Sequence, residues 1–475
     1  MRTKKTGSAP NNWFDRLALT LGVLILGWLA SVVLTQAYYW MVPAQPSAAV
    51  LRLEAEAAQR PLFNANGLQL AGLLAPPELD AEAFGRCLYP DAQANANKLS
   101  HHFRDDVPTE EQSKRRLEAC SQGQARLTIP AAIQVARATP KWTQTEWAEL
   151  AEHAPDPALI ERTNAILAAG PRRLGPDFVS PWPPTNPLIQ MTLWQIARGI
   201  QDWRNHSRPS ALLTWASIGQ QVSSSASDNL FESSITTGVL NRLLLGMQVA
   251  VQASAYISDS EASTMHGIVA SAEQMPEVVH KAMISEWQGA DRMYKELHAS
   301  AFGAAKPHTK PTTLAWVQAA TEALFDPVDS INQFTIDFEM ERNRIRRLAE
   351  GQDPARVVSS RNCAWMGSWA LLCLPHERNL IGRIIVSAGG GDYAAYGTRI
   401  ADLRNLAAAT RLTIEARRRG LQGEALARFV TEAPENMRDI FSKAPFAYDP
   451  SQRQLTIQLR GKSTVLGEGS YTLPL

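Results

Sequence analysis

The run Leu17 to Leu34 carries no charged side chain, and no other stretch limits what this chain can fold into as strongly. About 20 apolar residues, rising 1.5 Å each, cross a hydrocarbon core of about 30 Å. Trp13 and Phe14 precede the run, and Tyr38, Tyr39 and Trp40 follow it, as in an interfacial aromatic belt. Arg2, Lys4, Lys5 and Arg16 lie on its N-terminal side. Positive residues stay on the cytoplasmic face of a span, so the expected topology is a short cytoplasmic tail with the bulk of the chain on the far side. A cleaved signal peptide competes with this assignment. Its apolar region is usually about 7–15 residues and ends at small residues. Here the run is longer, bulky aromatics follow it, and Thr35 with Ala37 offers a weak small-x-small site. The expectation is an uncleaved anchor, with a buried soluble helix as the third option. Ala18 with Gly22, and Gly27 with Ser31, stand at small-xxx-small spacing, which permits helix–helix association or simply faces lipid.

The 475 residues hold 47 basic and 46 acidic side chains, a net charge of +1. That balance argues against a nucleic-acid binder, which needs a basic surface. The part beyond the anchor is long enough for two or more units with their own cores. Thirteen tryptophans are first of all core material where they fall on helical faces.

Four cysteines are present: Cys87, Cys120, Cys363 and Cys373. In an exported chain an even number suggests two disulfides, and the simplest pairing is local, Cys87 with Cys120 and Cys363 with Cys373. A single helix from Cys363 to Cys373 would hold its ends about 15 Å apart, whereas a disulfide needs Cα atoms within about 7 Å. The second bridge therefore requires a turn near Met366-Gly367-Ser368. Two buried free thiols are the alternative.

Along the chain, Ser47 to Arg60 reads as a short juxtamembrane helix after Pro43 and Pro46. Thr109-x-x-Gln112 and Thr143-x-x-Glu146 are capping-box patterns. Asp156-Pro157 and Gly170 mark the start and stop of a helix. Six prolines between Pro171 and Pro187 read as an extended linker, with a boundary near residue 180. Helical periodicity then dominates: Leu188 to Trp203, Ala211 to Gln221, Asp228 to Ser254, a short helix capped by Ser258-x-x-Glu261, a run opened by Pro276, then Thr312 to Leu324 and Asp329 to Glu350. Ile381 to Ser387 is short and β-branched. Gly389-Gly390-Gly391 precedes a strong helix, Tyr393 to Arg419, with Asp392 as its expected N-cap and Gly420 as its stop. Ala444 to Leu459 alternates around Asp449-Pro450-Ser451 as a β-hairpin would.

The C-terminal third resembles a family of single-pass bacterial envelope proteins. The residues that carry this are Asn379 to Ile385, Asp392, Tyr393, Tyr396, Arg399 and the run Leu403 to Leu412. Asp439 to Asp449 is similar to the "DPF-(S/T)-G-x-P-(F/L)-x-Y" stretch of such proteins and of some pseudopilin-like domains. Ile440 stands where proline is usual, and Lys443 where glycine is. The resemblance implies an N-terminal anchor, a helical middle and a C-terminal segment of this kind, and it implies no activity.

Chemistry is sparse. Glu277 and His280, at i, i+3 on one helix, form the kind of Glu-x-x-His pair that builds di-iron sites, but no second copy is present. The bland reading is a surface Glu and a satisfied His, and the expectation is no metal and no cofactor. Cys87, His101, His102 and Cys120 lack the short zinc-binding clip. The triple glycine lacks both phosphate-loop layouts. Arg342, Arg344, Arg346 and Arg347 read as a solvated helix face interleaved with Glu341, or as a contact for an acidic partner or headgroup.

The expected fold is mainly α, with an N-terminal transmembrane helix, an antiparallel bundle-like body and a small C-terminal helix plus β-hairpin module. The expected divisions are residues 1–16 as tail, 17–40 as span, 41–180 as membrane-proximal region, 181–375 as helical core and 376–475 as C-terminal module. The expected location is the bacterial inner membrane with the bulk in the periplasm. The expected partners are the bilayer, through Leu17 to Leu34, and an envelope protein. The expected role is an envelope scaffold or interaction component, leaning away from an enzyme. A cell-envelope hydrolase or a lipid- or small-ligand-binding helical domain is the alternative.

Overall fold

In the computed structural model the described residues are 12–42, 44–60, 64–90, 110–135, 144–170, 172, 185–226, 229–302, 325–352, 379, 393–461 and 465–475. They form a mainly helical structure with one small sheet near the C-terminus. The expected helix Thr312 to Leu324, the run Ile381 to Ser387, the triple glycine, Cys363 and Cys373 all lie outside the described residues.

The helices are α1 Asn12–Met41, α2 Ala48–Ala58, α3 Ala65–Ala71, α4 Ala81–Leu88, α5 Glu110–Ser121, α6 Ala131–Val135, α7 Gln144–Glu152 and α8 Pro157–Ala168. They continue with α9 Thr185–Arg204, α10 Arg208–Ala226, α11 Leu230–Gln252, α12 Asp259–Glu273, α13 Met275–Phe302, α14 Pro327–Ala349, α15 Ala394–Arg418 and α16 Gly423–Thr431. By internal contacts the chain separates into two units. One takes in described residues 12–51, 294–302, 325–335 and 379, and the other takes in the rest.

In the first unit, α1 has the length and composition of a membrane span. Thr20–Tyr38 has mean hydropathy 1.8, and none of its most apolar window is buried. A six-residue stretch leads to α2, whose cap Ser47 accepts the Val50 amide at 3.2 Å. Asn332 of α14 holds this stretch from both sides. Its Nδ2 donates to the Gln45 carbonyl at 2.9 Å, and its Oδ1 accepts from the Ser47 amide at 2.8 Å. Asp326 caps α14 by accepting from Val328 and Asp329, with Pro327 at the first helical position, where a missing N–H costs nothing. Asn379 packs on this cap, with its Oδ1 accepting the Asp326 amide and its Nδ2 donating to Ser330 Oγ at 2.7 Å.

The second unit is built around α9, α10, α11, α12 and α15, which pack on one another. Apolar residues at helical spacing on each line its core, Met191, Ile196, Trp215, Leu243, Met247, Met265 and Leu406 among them. Close approach is set by two glycines. A Cβ at Gly199 would lie 2.3 Å from Trp215 Nε1, and one at Gly246 would lie 2.9 Å from Ile196 Cγ2. Trp215 donates to the Ile196 carbonyl and stacks on Trp203 at 5.9 Å. Trp203 in turn donates to Ser254 Oγ at 2.8 Å.

Local signals place several boundaries where expected. Asp156 caps α8 through the Ala158 amide, and Ser258 with Glu261 completes a full capping box on α12. Two expectations are corrected. The proline linker ends before Thr185, so Pro187 sits in the first turn of α9, where proline is tolerated. The residue before α15, Tyr393, makes no side-chain cap bond, and Asp392, the expected N-cap, lies outside the described residues. The C-terminal hairpin gains a third strand. β1 Ala447–Asp449, β2 Gln454–Gln458 and β3 Ser470–Pro474 form an antiparallel sheet in that order. Tyr448 pairs with Leu455, and Leu455 with Leu473. Leu455, Ile457 and Leu473 are buried, which follows from period-two alternation with one face turned to a core. β2 packs on α15.

Candidate functional site

The residues singled out for chemistry do not converge. Glu277 is exposed and pairs with Lys281 at 3.5 Å. His280 is turned inward, and its backbone carbonyl accepts Arg342 Nε at 2.8 Å. Burial pushes the His280 imidazolium to lower pKa, and the positive charges of Arg342 and Arg346 push the same way. His280 therefore faces two guanidiniums, while Glu277 pairs with Lys281 on the exposed side of the helix. Among the described residues no group of three or more His, Cys, Asp or Glu side chains could hold an ion. His101 and His102 lie outside the described residues.

Cys87 and Cys120 are joined as a disulfide. It ties α4 to α5 beside a small core of Ala75, Phe84 and Cys120, with Leu79, Leu88 and Leu117 against it. The same corner holds a feature that no spacing announced. The Arg162 guanidinium on α8 donates to four carbonyls, Ala75 at 2.7 Å, Pro76 at 2.9 Å, Pro77 at 3.2 Å and Leu79 at 2.6 Å. Proline lacks an N–H, so this diproline turn is held from outside by the planar fork of an arginine.

The arginine run on α14 is also only partly what it looked like. Arg344 pairs with Glu341 at 3.2 Å, as the interleaving suggested. Arg342, read as part of a solvated face, is buried. It is held by the His280 carbonyl and by Glu56 at 3.0 Å. Its long stem packs inward while its head finds acceptors, which sequence spacing alone does not reveal.

The densest polar arrangement lies along α15. Asp402, fully buried, accepts from the Arg460 amide at 2.8 Å and the Gly461 amide at 2.9 Å. One turn on, Asn405 donates to Asp439 at 2.9 Å and accepts the Ile440 amide at 2.8 Å. Asp439 also accepts the Phe441 and Ser442 amides. Asp402 thus grips the connection from β2 to β3, and Asn405 the loop that precedes β1. Burial raises the Asp402 carboxyl to about 6, against the lowering effect of the two amides and Arg460 and with help from Asp439.

Toward the other end of α15, Glu415 meets His266 at 3.0 Å and Arg418 at 2.8 Å. Arg418 continues to Asp259 at 2.8 Å. Burial works to raise the Glu415 carboxyl, but hydrogen bonds from Arg418 and His266 outweigh it and hold the group at about 2. A carboxylate locked in its charged form does not exchange protons near neutrality. It serves as an ion clamp between α12 and α15, and Arg411 with Glu273 at 2.7 Å repeats the device one turn earlier on α15. Arg172 and Glu232, 60 residues apart, form a further buried pair at the start of α11. These groups fasten elements together: Asp402 and Asp439 are met by amides, and Glu415, Glu273 and Glu232 by guanidiniums.

Protein-family models, curated proteins and solved structures were compared with this chain, and none matches it.

Proposed function

We propose that this chain is a single-pass protein of the bacterial inner membrane, with its N-terminal tail in the cytoplasm and its body in the periplasm. We propose further that it works there as an envelope scaffold or interaction component. The observation that carries the reading is α1, a helix of spanning length with none of its most apolar window buried. In water that surface would be a large exposed apolar patch, which soluble monomers avoid. The Cys87–Cys120 disulfide supports an oxidising compartment for the body. The polar groups described above act as fasteners between elements, which supports a role in holding shape over one in turning over substrate. On this reading residues 41–180 form a membrane-proximal region, residues 181–375 an antiparallel helical core and residues 376–475 a C-terminal helix plus β-hairpin module.

The test joins location to role. Carbonate-washed membranes retain the protein, and protease added to the periplasmic side removes the body. Crosslinking in intact cells, followed by detergent extraction on a C-terminal tag and mass spectrometry, returns a stoichiometric envelope protein. Release by carbonate overturns the anchor. A cleanly retained protein with no crosslinked partner overturns the scaffold role.

A further inference from the structure

The two halves of the Cys87–Cys120 bridge stand in unlike surroundings. α4 buries Phe84 and Gly85. A Cβ at Gly85 would lie 2.0 Å from the Leu68 carbonyl oxygen of α3, so this face of α4 is fixed inward. Cys87 is left on the outside and is exposed. A helix covers its own backbone, so exposure within α4 is exposure of the side chain. Cys120 is 4% exposed and sits in the small core with Ala75 and Phe84, against Leu79, Leu88 and Leu117. One sulfur of the pair meets solvent and the other meets apolar side chains.

A cation stands at the open side. Arg116 is exposed on α5, and its Nη1 donates to the Leu88 carbonyl at 3.2 Å, one residue from Cys87. A guanidinium there attracts an approaching thiolate and steadies the negative charge that sulfur carries during exchange.

We propose that this bridge is a thiol–disulfide exchange site entered at Cys87, and that its reaction partner is a dithiol reductant. A thiolate attacks one sulfur of a disulfide, and access decides which one. Here the incoming thiolate bonds to Cys87 Sγ and the Cys87–Cys120 bond breaks. Its electron pair leaves with Cys120 Sγ, which takes up a proton. The second thiolate of the reductant then attacks the reductant's own sulfur in the mixed disulfide and releases Cys87 as a thiol. Two electrons and two protons pass to the cysteine pair, and the dithiol becomes a disulfide. The joint has other holds: the close approach at Gly85, the Arg116 bond and the Arg162 grip on the turn at 75–79. These keep Cys120 beside Cys87 after reduction. The proposal stands whether or not α1 spans a membrane.

Glutathione is the probe, because a monothiol stops at the mixed disulfide. The oxidised full chain in detergent is treated with glutathione and quenched in acid, and each cysteine peptide is read separately by mass spectrometry. Adducts at Cys87 are expected to exceed those at Cys120 by about tenfold or more, with Cys120 recovered as a free thiol. Cys120 can expel the adduct again, so a second measurement uses single variants and oxidised glutathione. Cys120→Ser is expected to take up glutathione about tenfold faster than Cys87→Ser, and urea is expected to bring the two rates together. Arg116→Gln in the Cys120→Ser chain is expected to slow uptake severalfold, and an unchanged rate removes the arginine from the site. Equal adducts at the two cysteines, adducts mainly at Cys120, or a bridge that stays closed to glutathione overturn the proposal. Variant rates that already agree without urea overturn it as well.

Discussion

Asp402 shows what a single buried carboxylate does to this protein. Its two amide partners favour the charged form, yet enclosure in the interior costs more than they return, and the group titrates near 6 instead of near 3.8. The folded chain therefore holds the Asp402 proton more tightly than the unfolded chain does. By linkage its contribution to stability is least favourable above pH 6, grows as pH falls from about 6 toward about 4, and is level below that. The swing is on the order of 3 kcal/mol. Urea midpoints of the wild-type chain and of Asp402→Asn, compared between pH 4 and pH 7.5, are expected to show the wild type gaining on the variant as the solution is acidified. A difference between the two chains that does not change with pH overturns this account. Glu415 has the opposite sign. Its depressed value adds stability above its ordinary range, and that stability is lost only as pH falls toward about 2.

Helix contacts depend on where the chain leaves side chains out. Gly199 lets α9 lie against the indole of Trp215, and even one added carbon would meet Nε1 at 2.3 Å and Cε2 at 2.9 Å. Trp215 is fully buried and has no free path aside. Gly199→Ala is expected to lower stability by about 1–3 kcal/mol through overpacking, read as a lower thermal midpoint with altered tryptophan fluorescence. An unchanged midpoint means that the indole can move. Elements of this kind divide by how far their signals travel. The α8 and α12 starts are written within four residues, Asp156-Pro157 and Ser258-x-x-Glu261, and sequence reading finds them. α16 begins at Gln422 with no side-chain cap bond and leaves no such mark. β3 follows two left-handed glycines, Gly467 and Gly469, and becomes a strand because β2 offers it an edge, which a window of local residues does not contain. Arg342 reads as a surface charge, since the acceptors that allow its burial, the His280 carbonyl and Glu56, lie 62 and 286 residues away. The polar cluster on α15 was illegible for the same reason: Asp402 and Asn405 draw their partners from positions 439 to 461.

At the scale of the whole molecule, covalent closure supplements a core spread over many short helices. The Cys87–Cys120 bridge closes a separation of 33 residues, worth about 3–4 kcal/mol in the chain-entropy account. The double variant Cys87→Ser, Cys120→Ser is expected to unfold at correspondingly lower urea. In reducing agent the wild type and the variant are expected to share one midpoint. If reduction shifts both equally, another thiol pair carries the effect.

The arginine that holds the diproline turn also sets an order in time. The turn at 75–79 and both cysteines are made before Arg162, which lies 83 to 87 residues beyond the carbonyls it binds. A chain delivered N-terminus first can therefore oxidise Cys87 with Cys120 while the turn beside them is still loose. Until α8 is present the turn lacks the guanidinium that holds its four carbonyls.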